Sequence, residues 1–226
     1  MSAFVSAVIV AAGGSVRMGI ADSKQFIPLL SRPAIEYTLK AFQKCHLIKE
    51  IVIVCREQDN DRINKIIELN GFNKISKLVK GGDSRADSVR NGIGACSENA
   101  KYYAIHDGAR PFITEEMVQR GYEAVKRTNA CVMGMPSKDT VKLADSSGYI
   151  KETPDRKIVW NIQTPQIFSY DLIRGAYESI RKKDMTGVTD DAMVVEQETG
   201  TKILLVEGSY QNIKITTPED LAIAEA

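Results

Sequence analysis

Residues 5–24, VSAVIVAAGGSVRMGIADSK, decide the fold and indicate the kind of ligand. Residues 5–10 form an almost wholly apolar run of strand length, which is typical of a strand buried on both faces. Small side chains then let a ligand approach the backbone N–H groups closely: Ala11, Ala12, Gly13 and Gly14. Arg17 and Lys24 bring two cations within reach of the same loop. The alternative is a plain turn of small residues, but the two cations favour a polyphosphate, and hence a nucleotide.

Two common phosphate-binding motifs are excluded. The stretch contains no G-x-G-x-x-G, which is the dinucleotide-binding fingerprint. Gly14 and Gly19 have the spacing of a P-loop, but Ile20 stands where that motif requires lysine. A nucleotide here must therefore be held by a different arrangement.

Composition excludes several classes of protein. The 226 residues carry 30 basic and 29 acidic side chains, so bulk charge gives no reason to expect nucleic-acid binding, although a local basic pocket is still possible. Four cysteines without a C-x-x-C pair are typical of reduced thiols, and two histidines argue against a Cys/His zinc site. The sequence shows neither a membrane-spanning stretch nor a signal peptide. We expect a soluble cytoplasmic protein without a membrane partner.

Strand and helix patterns alternate along the chain. Strands are expected at 5–10, 51–55, 77–79, 102–106, 130–135 and 202–206. Helices are expected from Pro33, at 59–70 and 84–95, from Thr114, at 170–182, after a cap at 189–191, and from Pro218. This alternation predicts one α/β domain, residues 1–226, with a doubly wound, mostly parallel Rossmann-like sheet. Segments 11–14, 81–83 and 107–111 would then converge at one sheet edge, which is the site hypothesis, and 161–166 would return to that edge.

Residues 136–160 interrupt the alternation. TVKL at 140–143 and YIKE at 149–152 alternate polar and apolar residues around a DSSG turn, a pattern that predicts a projecting β-hairpin. Such a hairpin must bury its apolar face against something. We expect a dimerisation arm inserted at about 136–160. A lid over the chain's own site is the alternative.

Several polar residues are candidates for chemistry. Asp107 at a strand end suits Mg²⁺, which prefers oxygen ligands, although a turn residue is the alternative. Lys214, expected in a strand between Ile213 and Ile215, faces either solvent or an anion. Three further polar candidates lie around the start of the 84–95 helix: Asp83, Arg85 and Ser88. Arg110 is held in an extended conformation because proline follows it. We expect His106 to pack at a strand end rather than act as a general base, and Trp160 to pack in the core or the arm rather than stack on a base. No Ser/His/Asp or Cys/His arrangement is visible.

Seven blocks carry a family resemblance over residues 5–226. They are AAGG at 11–14 with Arg17 and Lys24, GDSRADSV at 82–89, HDGARP at 106–111, KDT at 138–140, TPQ at 164–166, TDDA at 189–192 and NIKIT at 212–216. The chain closely resembles the 2-C-methyl-D-erythritol 4-phosphate cytidylyltransferases of the non-mevalonate isoprenoid pathway. Gly108 departs from the family, where alanine is usual.

The resemblance implies a nucleotidyltransferase fold, a homodimer and a role for each matched residue. The nucleotide would lie against Ala11, Ala12, Gly13, Gly14, Gly82, Asp83, Arg85 and Ser88. The catalytic cations would be Arg17, Lys24 and Lys214, and Asp107 would bind Mg²⁺. The pocket for the sugar-alcohol phosphate would comprise Arg110, Thr140, Thr164, Thr189 and Lys214, with Arg156 delivered from the partner's arm.

The implied reaction transfers CMP from CTP to 2-C-methyl-D-erythritol 4-phosphate and releases pyrophosphate. A ribitol 5-phosphate cytidylyltransferase, from a sister family with the same nucleotide half, is the nearest alternative. A non-catalytic nucleotide-binding module is a second alternative, although a mere binder needs fewer cations than this chain carries. The absence of the G-x-G-x-x-G dinucleotide-binding fingerprint disfavours a redox enzyme.

Overall fold

The computed structural model describes residues 4–14, 23–181, 183 and 187–226. Its strands are β1 Val5–Val10, β2 Pro28–Leu29, β3 Arg32–Pro33, β4 Ile48–Cys55, β5 Ile75–Lys80, β6 Tyr102–Asp107, β7 Ala130–Pro136, β8 Leu143–Ala144, β9 Ile150–Glu152, β10 Trp160–Ser169 and β11 Leu204–Glu207. Its α-helices are α1 Ala34–Lys44, α2 Asn60–Asn70, α3 Arg85–Ala95, α4 Glu115–Thr128, α5 Tyr170–Ser179, α6 Asp191–Thr199 and α7 Pro218–Glu225. Short 3₁₀ helices lie at Lys24–Phe26, Glu57–Asp59 and Arg156–Ile158.

Seven strands form the central sheet in the order β11-β7-β10-β6-β1-β4-β5. Neighbours pair in parallel except for β10, which is antiparallel to both β6 and β7. Helices α1, α2 and α4 pack on one face of the sheet, and α3, α5 and α6 pack on the other. The prediction of a doubly wound, mostly parallel sheet is therefore confirmed.

Strand β10 is the main element that the sequence analysis did not predict. Its polar residues and Pro165 hide the strand pattern, and its pairing with β7 shifts between Ile162 and Gln166, around the proline that cannot donate to a ladder. The chain leaves the end of β7, passes through the hairpin at 136–160 and returns beside β7 as β10. Strand β10 therefore runs antiparallel to β7. Segment 161–166 does return to the carboxyl edge of the parallel strands, as part of this strand.

Helix ends follow the local sequence closely. The Ser84 hydroxyl and the Asp87 carboxylate form a capping box at the start of α3, and the Asp190 side chain caps α6. Gly71 ends α2 in the left-handed conformation. Pro33 precedes α1 as its N-cap residue rather than opening the helix, and α5 ends at Ser179, short of the predicted 182.

The predicted strand around Lys214 is wrong. Residues 212–216, all of which the structure describes, form no strand. Their extended backbone instead meets the loop after β6, where the Ile215 amide donates to the Ala109 carbonyl at 2.9 Å. The strand expected at 202–206 lies at β11, Leu204–Glu207. Lys214 is therefore placed by contact with the β6 loop and not by a sheet register.

The predicted hairpin is present, with a shorter ladder than expected. Strands β8 and β9 pair antiparallel over residues 143–144 and 150–152, so 140–142 and Tyr149 lie outside the ladder. Its apolar side chains face away from the described chain: Leu143, Tyr149 and Ile150 are exposed, as is Ile158 just after it.

The helices in the described ranges include none that is both long and apolar enough to cross a membrane.

We predict opposite effects for two glycines of α3. A Cβ added at the buried Gly92 would lie 2.5 Å from Val8 Cγ1 and 2.7 Å from Val54 Cγ2, whereas one added at the exposed Gly94 meets nothing within 4 Å. Gly92→Ala should lower the free energy of unfolding by up to about 2 kcal/mol, because overpacking costs more than the gain in helix propensity. Gly94→Ala should raise it by about 0.5–1 kcal/mol through helix propensity.

Urea denaturation of both variants and the wild type measures these changes. Equal stability of Gly92→Ala and the wild type would show that α3 does not pack on β1 and β4 as closely as described.

Candidate active site

Three loops meet at the carboxyl edge of the parallel strands. They follow β1, β5 and β6, and with two lysines they border a cavity of about 290 Å³. Its lining is Val10, Ala11, Ala12, Gly13, Gly14, Lys24, Gln25, Gly82, Asp83, Ser84, Arg85, Ser88, Asp107, Ala109 and Lys214. The predicted convergence is thus present, and all eight residues expected at the nucleotide line this first cavity. Arg17 lies outside the described residues.

Close contact between the first two loops shapes the cavity. A Cβ on Gly81 would lie 2.3 Å from the Ala12 side chain, so only glycine allows this approach. The Gly82 amide donates to Ser88 Oγ at 3.1 Å, and that hydroxyl donates to the Ser84 carbonyl at 3.0 Å. The β5 loop is therefore fixed to the first turn of α3.

Lys24 enters the cavity from a segment that is anchored on both sides. The neighbouring Gln25 side chain donates to the Ala11 carbonyl, and Ser23 Oγ donates to the buried Asp59 carboxylate at 2.8 Å. Arg56 Nε also donates to Asp59, at 3.0 Å. Neither Gln25 nor Asp59 was predicted as a site residue, because a glutamine beside a lysine and an acid at a helix start carry no signal of their own.

Asp107 is a buried carboxylate surrounded by cations. Lys214 Nζ lies 2.8 Å from it, and the Nε atoms of Arg85 and Arg110 each lie 3.7 Å away. Burial alone would raise the pKa of Asp107, but Lys214 first, and the two arginines with it, hold that pKa well below its usual range. The carboxylate is therefore ionised and already paired with positive charge.

Arg85 is held in place by Asp191, which the sequence analysis did not single out as a site residue. Asp191 is fully buried and accepts from Arg85 Nη1 and Nη2 at 2.9 and 2.8 Å, and from the Tyr177 hydroxyl at 2.6 Å. Burial lowers the pKa of Arg85, but the Asp191 carboxylate outweighs it and the pKa is raised. Asp190 already caps α6, so the second acidic residue beside it was the sign in the sequence that Asp191 has a different role.

A second cavity of about 240 Å³ adjoins the first. It is lined by Arg85, Asp107, Arg110, Ile162, Gln163, Thr164, Gln166, Thr189, Asp190 and Lys214. Four residues expected at the acceptor thus come together: Arg110, Thr164, Thr189 and Lys214. The two cavities share Arg85, Asp107 and Lys214, so charged groups stand where two ligands would meet.

Arg110 is the most deeply held cation of the second cavity. Its Nη1 donates to the Asn212 carbonyl at 2.7 Å, while its buried Nε finds no hydrogen-bond partner among the described residues and lies 3.7 Å from Asp107. Burial lowers its pKa, against the opposing effect of Asp107. Arg110 therefore brings a positive charge to the second cavity, where it could bind an anion.

Two expected acceptor residues lie elsewhere in the chain. Thr140 and Arg156 are exposed on the hairpin and line neither cavity. Arg156 Nη1 donates to the Lys138 carbonyl at 3.1 Å. Within one chain, therefore, the structure does not bring them to the site.

The residues fit Mg²⁺ only as an ion shared with a ligand. No group of three or more His, Cys, Asp or Glu side chains that could hold a metal occurs among the residues that the structure describes. Mg²⁺, however, usually takes one or two carboxylates and fills its other positions with water and phosphate oxygens. Asp107, which borders both cavities, meets that requirement.

Comparison with known proteins agrees with this geometry. Residues 5–226 match the family model described as IspD, 2-C-methyl-D-erythritol 4-phosphate cytidylyltransferase. Two proteins of that name, from Alkaliphilus oremlandii and Caldanaerobacter subterraneus, are each 44% identical to this chain; the alignments cover 97% and 98% of it and 93% and 97% of the relatives.

Solved structures give the same result. The 4-diphosphocytidyl-2C-methyl-D-erythritol synthase of Anaerococcus prevotii superposes with a TM-score of 0.88 at 36% identity, over 99% of this chain and 95% of its own. The 2-C-methyl-D-erythritol 4-phosphate cytidylyltransferase of Thermus thermophilus gives 0.77 at 31% identity, over 97% and 96%. This chain belongs to the 2-C-methyl-D-erythritol 4-phosphate cytidylyltransferase family.

Proposed function

We propose that this chain transfers CMP from CTP to 2-C-methyl-D-erythritol 4-phosphate, giving CDP-methylerythritol and pyrophosphate. Family membership supports this reaction, and so does one observation above all. Two adjoining cavities share Lys214, Asp107 and Arg85, so two anionic ligands would meet over the same charged groups. A module that only binds a nucleotide has no need of the second cavity.

The nucleotide occupies the first cavity in this proposal. The backbone at 11–14 approaches the triphosphate, while Gly82, Asp83 and Ser88 lie against cytosine and ribose. Arg85, fixed by Asp191, stands beside the phosphates as an immobile cation. Lys24 and Arg17 complete the positive charge around the triphosphate.

The acceptor phosphate occupies the second cavity, beside Arg110, Thr164 and Thr189. One of its oxygens attacks the α-phosphorus of CTP in line, the bond to the β-phosphate breaks, and pyrophosphate leaves. Both reactants are anionic, so the barrier consists largely of charge repulsion and positioning. Lys214 lies at the junction of the cavities, where its positive charge would stabilise the negative charge that builds up during attack.

Asp107 would hold Mg²⁺ together with phosphate oxygens of the nucleotide. The bound ion would neutralise phosphate charge and orient the triphosphate. For the carboxylate to serve this purpose it must stay ionised, which the surrounding cations ensure.

The hairpin supplies the missing part of the acceptor pocket from a second copy of the chain. Thr140 and Arg156 do not reach the cavities of their own chain, and the hairpin leaves Leu143, Tyr149 and Ile150 exposed. Burying these side chains against an identical hairpin would form a homodimer and carry Arg156 across to the partner's site. A lid that folds over its own site is the competing arrangement.

We further propose that the domain spans residues 1–226 and works in the cytoplasm. Cys45, Cys55, Cys96 and Cys131 are all buried free thiols, which suits a reducing compartment.

The reaction is tested by pyrophosphate release from CTP with Mg²⁺ and 2-C-methyl-D-erythritol 4-phosphate, beside ribitol 5-phosphate. We expect release with the first acceptor alone, and loss of release when EDTA removes the metal. Release with ribitol 5-phosphate alone would keep the mechanism and change the substrate. No release with either, together with measurable CTP binding, would leave a nucleotide-binding module.

Replacing either lysine should impair turnover far more than folding. We predict that Lys24→Ala and Lys214→Ala each lower kcat by about 10²–10³-fold, as loss of other electrostatic stabilisers does. Lys65→Ala, which removes an exposed lysine of α2, is the matched control and should keep wild-type kcat. Unchanged turnover in a site variant removes that residue from the mechanism, and thermal melts separate catalytic from folding defects.

The source of Arg156 is tested by mixing two inactive variants. In a mixed dimer of Arg156→Ala and Lys214→Ala subunits, one site has both side chains intact if the hairpin crosses to the partner. Random exchange of subunits should then restore about a quarter of wild-type activity, because about half of the dimers are mixed and one of their two sites is complete.

The control mixes Arg156→Ala with the double variant Arg156→Ala, Lys214→Ala, which leaves no complete site in any dimer. If the hairpin is a lid on its own chain, the first mixture stays as inactive as the control.

A further inference from the structure

The turn that carries Asp107 and Arg110 is held from inside the protein by the side chain of His106. This histidine lies in β6 and is fully buried, with its ring centroid 5.0 Å from that of Phe42. The sequence analysis treated it as a packing residue. Both of its ring nitrogens, however, lie within hydrogen-bond distance of the turn or of its neighbour β10.

The partner of Nε2 determines where the ring proton sits. Nε2 lies 3.2 Å from the Arg110 carbonyl oxygen, which can only accept, so Nε2 carries the hydrogen. The ring is fully buried beside Phe42, a setting that favours its uncharged form. A neutral ring has one N–H group, and Nδ1 is therefore an acceptor.

The partner of Nδ1 extends the chain of hydrogen bonds. Thr164 Oγ1 lies 3.0 Å from Nδ1, so its hydroxyl donates to the ring. The same oxygen accepts from the Asp107 amide at 3.1 Å. Three hydrogen bonds thus run in one direction, from the Asp107 amide through Thr164 and His106 to the Arg110 carbonyl.

This chain of hydrogen bonds closes the turn on its buried side. Within the turn, the Arg110 amide donates to the Asp107 carbonyl at 3.1 Å, and the Gly108 amide donates to the Val10 carbonyl at 2.9 Å. The Thr38 hydroxyl lies 3.2 Å from the carbonyl oxygens of Gly108 and Arg110. The first and last residues of the turn are thereby tied to the sheet and to each other.

We infer that His106 is a positioning residue: as the Nε2–H tautomer it joins Thr164 to the Arg110 carbonyl and so fixes the Asp107 carboxylate and the Arg110 guanidinium relative to one another. The inference rests on the proposed function of Asp107 and Arg110. His106 itself touches no substrate in this scheme, because its ring lies beneath the turn. Loss of a group that orients ligand-binding side chains in this way typically costs about 10–100-fold in affinity or activity.

Two variants separate the hydrogen bonds from the packing. His106→Phe keeps a ring of similar size and removes both hydrogen bonds, whereas His106→Gln can place its amide NH₂ near the position of Nε2. We expect His106→Phe to lower kcat/KM for the acceptor by about 10–100-fold, with a much smaller change in CTP affinity measured without acceptor. His106→Gln should recover part of that loss.

Phe42→Leu is the matched control, since it disturbs the same packing and leaves the hydrogen bonds intact. It should retain wild-type kcat/KM even where its thermal melt matches that of His106→Phe. If His106→Phe retains as much activity as Phe42→Leu, or if His106→Gln is no better than His106→Phe, His106 only packs and the inference is overturned.

The tautomer can be measured without any turnover. The chain has two histidines, so a His46→Gln variant leaves His106 alone in a long-range ¹H–¹⁵N spectrum. We expect the correlation pattern of a neutral Nε2–H imidazole, and the Nδ1–H pattern would contradict the hydrogen-bond directions. Absence of pyrophosphate release by the wild type would instead remove the proposed function, and this spectrum would still report on the hydrogen bonds.

Discussion

The site depends on keeping one buried carboxylate ionised. Asp107 lies where two cavities meet, and an unpaired charge at such a position would be costly. Lys214 at 2.8 Å and two arginines at 3.7 Å compensate it, and each cation comes from a different part of the chain. The ion pairs therefore bring the start of α3, the β6 loop and the segment before α7 to one point. The ion pairs that compensate the charge of Asp107 thus also hold the cavity walls together.

The topology explains how one carboxylate can border two cavities. Parallel strands deliver their loops to one sheet edge, where the first cavity forms, as expected of open α/β sheets. Strand β10, running antiparallel between β6 and β7, adds Thr164 and Gln166 beside Asp107 from the other direction. Gln166 then accepts from the Asp191 and Ala192 amides and so fixes the start of α6. The second cavity is thus built largely from one reversed strand and from the two residues that precede the helix it anchors.

Much of this arrangement follows from local sequence. The apolar runs, the caps at Ser84 and Asp190 and the three polar loops predict the sheet, the helices and the nucleotide half of the site. Strand β10 escaped prediction because Pro165 and polar neighbours hide its period, and Lys214 was wrongly placed in a strand because alternation alone cannot distinguish extended chain from a paired one. Asp191 and His106 were not recognised as supports, since Arg85 and Thr164, which contact them, lie far away in the sequence.

The root of the hairpin has a consequence for how such chains can change over evolution. Trp160 pairs with Pro136, so the residues between them leave the sheet and re-enter it at directly paired positions of β7 and β10. The sheet places no demand on the length or sequence of what is inserted there. Insertions, deletions and new surface chemistry in this segment can accumulate without disturbing the strands beneath. The sheet therefore leaves the exposed apolar side chains of the hairpin unconstrained, and any constraint on them comes from the proposed contact with a second copy of the chain.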